Sequence, residues 1–118
     1  MNTREDYLSA IYSLTEGGDQ KTTTSEVSEE LDISDASASD TIQKLEEDNL
    51  VCRAPYKGFT LSPAGKNRGK KAKEKFEELK DIFEELGVNN PVKEAKKVES
   101  SMSEEVMEKL REEIIGGN

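Results

Sequence analysis

Only three residues, Asp32-Ile33-Ser34, part an apolar-periodic segment ending at Leu31 from a second one beginning at Asp35. A connection that short forces two helices into contact as a helix-turn-helix. Val27 and Leu31 form the apolar side of the first helix, predicted over about 24–31 with Thr24 as its cap. The second is predicted over about 35–48, with Ser34 as N-cap and a stripe of Ala38, Thr41, Ile42 and Leu45 at helical spacing. Two short β-prone runs follow, 50–54 and 59–61, around the turn Pro55-Tyr56-Lys57-Gly58. They read as a hairpin, a wing on the helix-turn-helix, and a hairpin this short needs a helix over one face.

Helices flank this centre. Leu8, Ile11, Tyr12 and Leu14 predict one over 4–16, capped by Thr3 and stopped by Gly17-Gly18. The polar stretch 19–23 reads as a linker. Ser62-Pro63 opens a long helix over 63–86. Its stripe Gly65, Gly69, Ala72, Phe76, Leu79, Phe83, Leu86 alternates steps of four and three, small residues first and large ones last. The small end predicts close approach to the wing or the first helix, and the large end wants a partner. Asn90-Pro91 starts a helix over 91–98, and Ser103 starts a last one reaching Ile115, with Gly116-Gly117-Asn118 frayed. The fold class is therefore mainly α: a winged helix-turn-helix followed by an α-helical dimerisation region. The domains divide at 1–72 and 73–118, sharing the long helix.

The chain of 118 residues has no histidine and one cysteine, Cys52. That removes His-based catalytic triads, histidine zinc sites, intrachain disulfides and multi-cysteine metal centres, so an enzyme is not expected. No apolar run reaches the length of a membrane span, and Met1–Tyr7 lacks the pattern of a signal peptide, so a cytoplasmic protein is expected. The net charge of −9 is unevenly spread. Residues 1–48 carry −10, residues 49–75 carry +7 and residues 76–118 carry −6. A basic block inside an acidic chain predicts one surface that faces a polyanion.

Several segments closely resemble the DtxR/MntR family, the iron- and manganese-dependent winged-helix repressors of bacteria and archaea. They are the opening Glu5–Tyr12, Thr24–Leu31 with Ile33-Ser34 and Ala36–Leu45, the exit Gln43–Val51, the wing Tyr56–Gly65, and Met102–Val106. The resemblance is to the short form, without the SH3-like domain of some members. It implies a cytoplasmic homodimer on double-stranded DNA that regulates transcription. The recognition helix would present Ala36, Ser37, Ser39, Asp40, Gln43 and Lys44 to the major groove. Arg53 and Lys57 in the wing, with Lys66 and Arg68 after it, would meet phosphates. The dimer seam would draw on Leu8, Phe76, Leu79, Phe83, Leu86, Val106 and Leu110.

The resemblance also implies a divalent metal, and here the residues depart from the family. Its ligand positions fall on Asp6, Ser9, Phe76, Lys96, Glu99 and Ser100, which leaves Asp6 and Glu99 as remnant carboxylates. Two carboxylates are a poor transition-metal site, so no cofactor is expected. A weak manganese or iron site on Asp6, Glu99 and a further acid such as Glu94 or Glu5 is the alternative. The alternative function is a winged-helix protein-interaction module with weak or no DNA binding, which the overall acidity and Asp40 would suit.

Overall fold

The computed structural model describes residues 3–54 and 57–115, without the side chains of Ser100, Ile114 and Ile115. Pro55-Tyr56 of the expected turn, the Ser100 position, the apolar pair Ile114-Ile115 and the end at 116–118 thus lie outside the described residues or side chains. The chain forms two compact units, 1–73 and 74–118, and one helix runs from the first into the second.

The first unit opens with α1 (Arg4–Leu14), α2 (Thr24–Leu31) and α3 (Asp35–Glu47). Thr3 caps α1 through a reciprocal box, its hydroxyl accepting from the Asp6 amide while the Asp6 carboxylate accepts from the Thr3 amide. α1 stops short of the expected Glu16. The Thr15 hydroxyl turns back onto the Ile11 carbonyl and accepts from the Gly18 amide, which closes the end. The cap of α2 is Thr23, not Thr24. Three residues after Thr23 stands Glu26, which returns the bond to the Thr23 amide, whereas Thr24 is followed at that distance by Val27, which cannot. Ser34 caps α3 as the sequence predicts, accepting from the Ser37 amide.

The wing is an antiparallel pair, β1 (Val51–Arg53) and β2 (Phe59–Leu61), in the register Val51 to Leu61, Cys52 to Thr60 and Arg53 to Phe59. Stretch 19–23 is more than a linker. Thr22, 1 % exposed, pairs with Phe59 in an isolated antiparallel bridge through two hydrogen bonds of 2.9 and 3.0 Å. Thr60 Oγ1 lies 3.0 Å from the carbonyl oxygens of both Gly18 and Gln20. Period-two alternation puts Val51, Phe59 and Leu61 in the core and Cys52 and Thr60 toward the surface. The core of the unit is Tyr7, Leu8, Ile11, Val27, Ala38, Ile42, Leu45, Leu50, Val51, Phe59 and Leu61.

Helix α4 (Pro63–Glu85) starts against this core. Ser62 Oγ donates to the Asn49 carbonyl at 2.7 Å and accepts from the Gly65 amide at 3.1 Å. The small residues do what their spacing predicts. A Cβ on Gly65 would lie 2.0 Å from the Leu50 carbonyl oxygen, and one on Gly69 would lie 2.7 Å from that of Leu8. So α4 presses on both the entry to the wing and α1.

The second unit holds the rest of α4, α5 (Pro91–Ser101), α6 (Glu104–Leu110) and a wider π-type turn, Arg111–Ile115. Its core is Leu79, Ala95 and Met107, flanked by Phe76, Phe83, Val98, Met102 and Leu110. α5 runs three residues beyond the expected Val98, since nothing in Glu99-Ser100-Ser101 breaks a helix, and Lys75 Nζ donates to the Met102 carbonyl at its end. Asn90 makes no side-chain cap; it supplies a left-handed backbone, φ 55°. Glu78 accepts from Arg111 Nε at 2.7 Å and raises the guanidinium's pKa.

Gly65→Ala should therefore be costly, because the atom its methyl meets is backbone and cannot swing away. We expect a loss of at least about 2 kcal/mol in urea unfolding. Gly87→Ala meets nothing within 4 Å and pays only for its φ of 75°, about 1 kcal/mol. Equal losses would contradict this packing.

Candidate nucleic-acid interface

Helix α3 has two unlike sides. Ala38, Ile42 and Leu45 are fully buried, which turns Ala36, Ser37, Ser39, Asp40, Gln43 and Lys44 outward, all exposed. This face is short, polar and nearly neutral. Lys44 Nζ lies 3.3 Å from Asp40 Oδ2, one helical turn back, so each offsets the other. The Ser34 hydroxyl donates to Ser37 Oγ at 3.0 Å and leaves the Ser37 proton to be given outward. Below the first turn, the Ser28 hydroxyl bridges the Ser25 carbonyl and the Asp35 carboxylate, which ties α2 to the start of α3.

The expected cations divide into two groups. Arg53 Nε donates to Glu46 Oε2 at 3.1 Å, and its guanidinium sits 5.9 Å from the centroid of Phe59. Arg68 is held by Glu5 at 2.5 Å. Arg4 is paired with Asp48. Lys57 and Lys66, in contrast, are exposed and make no ion pair among the described residues. The Lys66 stem lies over the Gly17-Gly18 turn, where a Cβ on Gly18 would meet its Cε at 2.3 Å. Exposed ion pairs are worth about 0–1 kcal/mol, so a phosphate can displace those of Arg53 and Arg68. The Asp40–Lys44 pair was readable from its spacing. Glu46–Arg53 and Glu5–Arg68 join segments that only the tertiary fold brings together.

Residues 1–59 match the family profile described as the iron dependent repressor, N-terminal DNA binding domain. The chain belongs to the iron-dependent repressor family. This is the DtxR/MntR group that the sequence resembles, one of transcriptional repressors and not of enzymes. Among its relatives is the HTH-type transcriptional regulator MntR of Oceanobacillus iheyensis, 34 % identical over 86 residues, which are 73 % of this chain and 58 % of that protein. Another is the uncharacterized HTH-type transcriptional regulator MJ0568 of Methanocaldococcus jannaschii, 31 % identical over 110 residues, 91 % of this chain and 88 % of that one. A manganese-dependent transcriptional repressor solved in complex with manganese superposes with a TM-score of 0.81 at 25 % identity, covering 94 % of this chain and 52 % of its own. The T. acidophilum IdeR structure gives 0.81 at 22 % identity, over 96 % and 54 %, and shows the fold alone. This chain thus spans little more than half the length of those solved relatives and of the Oceanobacillus protein.

The family's metal finds a poor donor set here. The Asp6 carboxylate is engaged in the cap of α1. Glu99 is buried in the other unit, Lys96 is exposed, and Ser9 and Phe76 offer no imidazole or carboxylate. Among the described residues no three His, Cys, Asp or Glu side chains gather as a metal site. These residues do not fit a transition-metal centre.

If Asp6 serves as a cap, D6A should cost about 1 kcal/mol in chemical denaturation, equally in EDTA and in manganese. A loss that appears only with manganese present would make it a ligand.

Proposed function

We propose that this chain is a dimeric, sequence-specific DNA-binding transcriptional regulator that works without the manganese or iron switch of its relatives. One observation carries the DNA reading. The helix that the family uses as reader turns six small or polar side chains outward beside a wing whose Lys57 makes no ion pair among the described residues. Gln43 suits adenine, Asp40 suits the cytosine amino group, and Ala36 suits a thymine methyl, while Ser37 and Ser39 donate to base or phosphate. Lys57 and Lys66 supply attraction that does not depend on sequence.

Metal independence is supported by the departure at four of six ligand positions and by the capping role of Asp6. A ligand shifts an equilibrium only by its differential affinity for two states, and the remaining carboxylates offer little. The near-neutral face of α3 also favours the second reading, a protein-interaction module, and salt dependence separates the two.

The test is selection from genomic DNA with the full chain, then affinity against salt for selected and random duplexes. Q43A or S39A should change the preference between sequences. K57A with K66A should weaken all duplexes alike and lower the salt slope by about 2. Added Mn²⁺ or Fe²⁺ should leave affinity unchanged within about twofold. A stoichiometric site tighter than ~10 µM that also tightens DNA binding would overturn metal independence. Binding without salt dependence would favour the protein module.

The dimer reading rests on apolar surface in the second unit. Leu86 is 71 % exposed, Val92 47 % and Val106 48 %. Val106 borders an open, mainly apolar groove of about 510 Å³ formed with Lys97, Val98, Ser101, Met102 and Ser103. Phe76, Phe83 and Leu110 are half-buried beside that unit's core. Leu8 and Leu79, expected at the seam, are instead fully buried in the cores of their own units, so neither offers its side chain to a partner. A charge at Val106 should therefore split the dimer without unfolding the chain. Sedimentation should show a dimeric parent and a monomeric, folded V106D. A monomeric parent sinks this part.

A further inference from the structure

We propose that Lys21 and Lys57 together form a phosphate clamp at the tip of the wing, with Lys21 as a DNA-backbone contact contributed by the segment before α2. The proposal rests on the DNA-binding reading and adds to it a residue that the sequence assigns to a linker.

The packing at Gly58 brings the Lys21 side chain beside the residue that follows Lys57. Thr22 and Phe59 exchange both hydrogen bonds of an antiparallel bridge, which sets Lys21 across from Thr60 and Thr23 across from Gly58. Thr60 Oγ1, within hydrogen-bonding distance of the Gly18 and Gln20 carbonyls, fixes the same segment from the other side. Gly58, φ 94°, lies close against this segment. A Cβ there would lie 2.6 Å from the Thr22 carbonyl oxygen and 3.7 Å from Lys21 Cδ. The Lys21 stem thus passes beside Gly58, the residue next to Lys57.

Charge singles out the same residue. Residues 3–48 carry three cations in a stretch rich in acids. Arg4 is paired with Asp48 and Lys44 with Asp40. Lys21 is exposed and is the one of the three that makes no ion pair among the described residues. Lys57 has the same standing in the wing. Two exposed ammonium groups borne near Gly58 offer a phosphodiester two charge-assisted contacts.

The experiment uses the full chain, a fluorescein-labelled random-sequence duplex and a metal-free buffer, with affinity read by anisotropy over a salt series. K21Q keeps the stem that packs on Gly58 and removes the charge. It should lower the slope of log K against log salt by about 0.9, as K57Q should, and the double variant by about twice that. K21R should restore the parental slope. A K21Q slope equal to the parent's, with a reduced slope in K57Q, overturns the clamp and leaves the DNA reading standing. A parent chain with no salt-dependent binding overturns both. Thermal melts of K21Q and K21E should match the parent, because the side chain is exposed; a K21Q melt that falls together with an unchanged slope makes Lys21 structural and counts against the clamp.

Discussion

Phe59 is where the N-terminal unit is held together. Its ring is buried in a core shared by α1, α2, α3 and the wing, with the Arg53 guanidinium over one face. Its backbone bonds to Thr22 on one side and lies opposite Arg53 on the other. An aromatic ring of this size, fully desolvated, contributes on the order of 2–3 kcal/mol by burial alone. It also decides which way the wing faces, because a slip of one residue in β2 would turn Phe59 and Leu61 to solvent and Thr60 inward. The short wing, weak by itself, gains its geometry from this anchor.

The fold was legible where local chemistry and tertiary packing agree. Thr3, Ser34 and Ser103 cap the helices that their positions predict. Gly65 and Gly69 sit where neighbouring carbonyls leave no room for a side chain. Legibility failed where one signal had two readings. Thr23 and Thr24 are both good caps, and only the partner three residues on distinguishes them. The β-bridge of Thr22 is a single residue long, so it has no periodicity to detect. The stripe read over 63–86 cannot tell a residue that fills its own unit, Leu79, from one that stays at the surface just past the end of α4, Leu86.

The candidate interface was legible as a set of exposed polar positions and less so as a set of charges. Counting basic residues overstates the free positive charge, since Arg53 and Arg68 find acids that are distant in sequence. Of the expected contact cations, those without an ion pair among the described residues are Lys57 and Lys66, and a lysine ammonium is a mobile point charge suited to a phosphate backbone more than to bidentate reading of guanine. In the proposed DNA reading, sequence preference falls to the small polar groups of α3, and attraction to the wing and the start of α4.

The stitch between residues 18–22 and the wing also bears on the order of assembly. The hydrogen bonds of Thr60 to Gly18 and Gln20 span 42 and 40 residues, and the whole helix-turn-helix lies inside the loop they close. Closing so long a loop is entropically costly until α2 and α3 have packed and shortened it. On a growing chain Thr22 has no backbone partner until Phe59 has been made. By that argument α2 and α3 pack before the wing can lock onto residues 18–22.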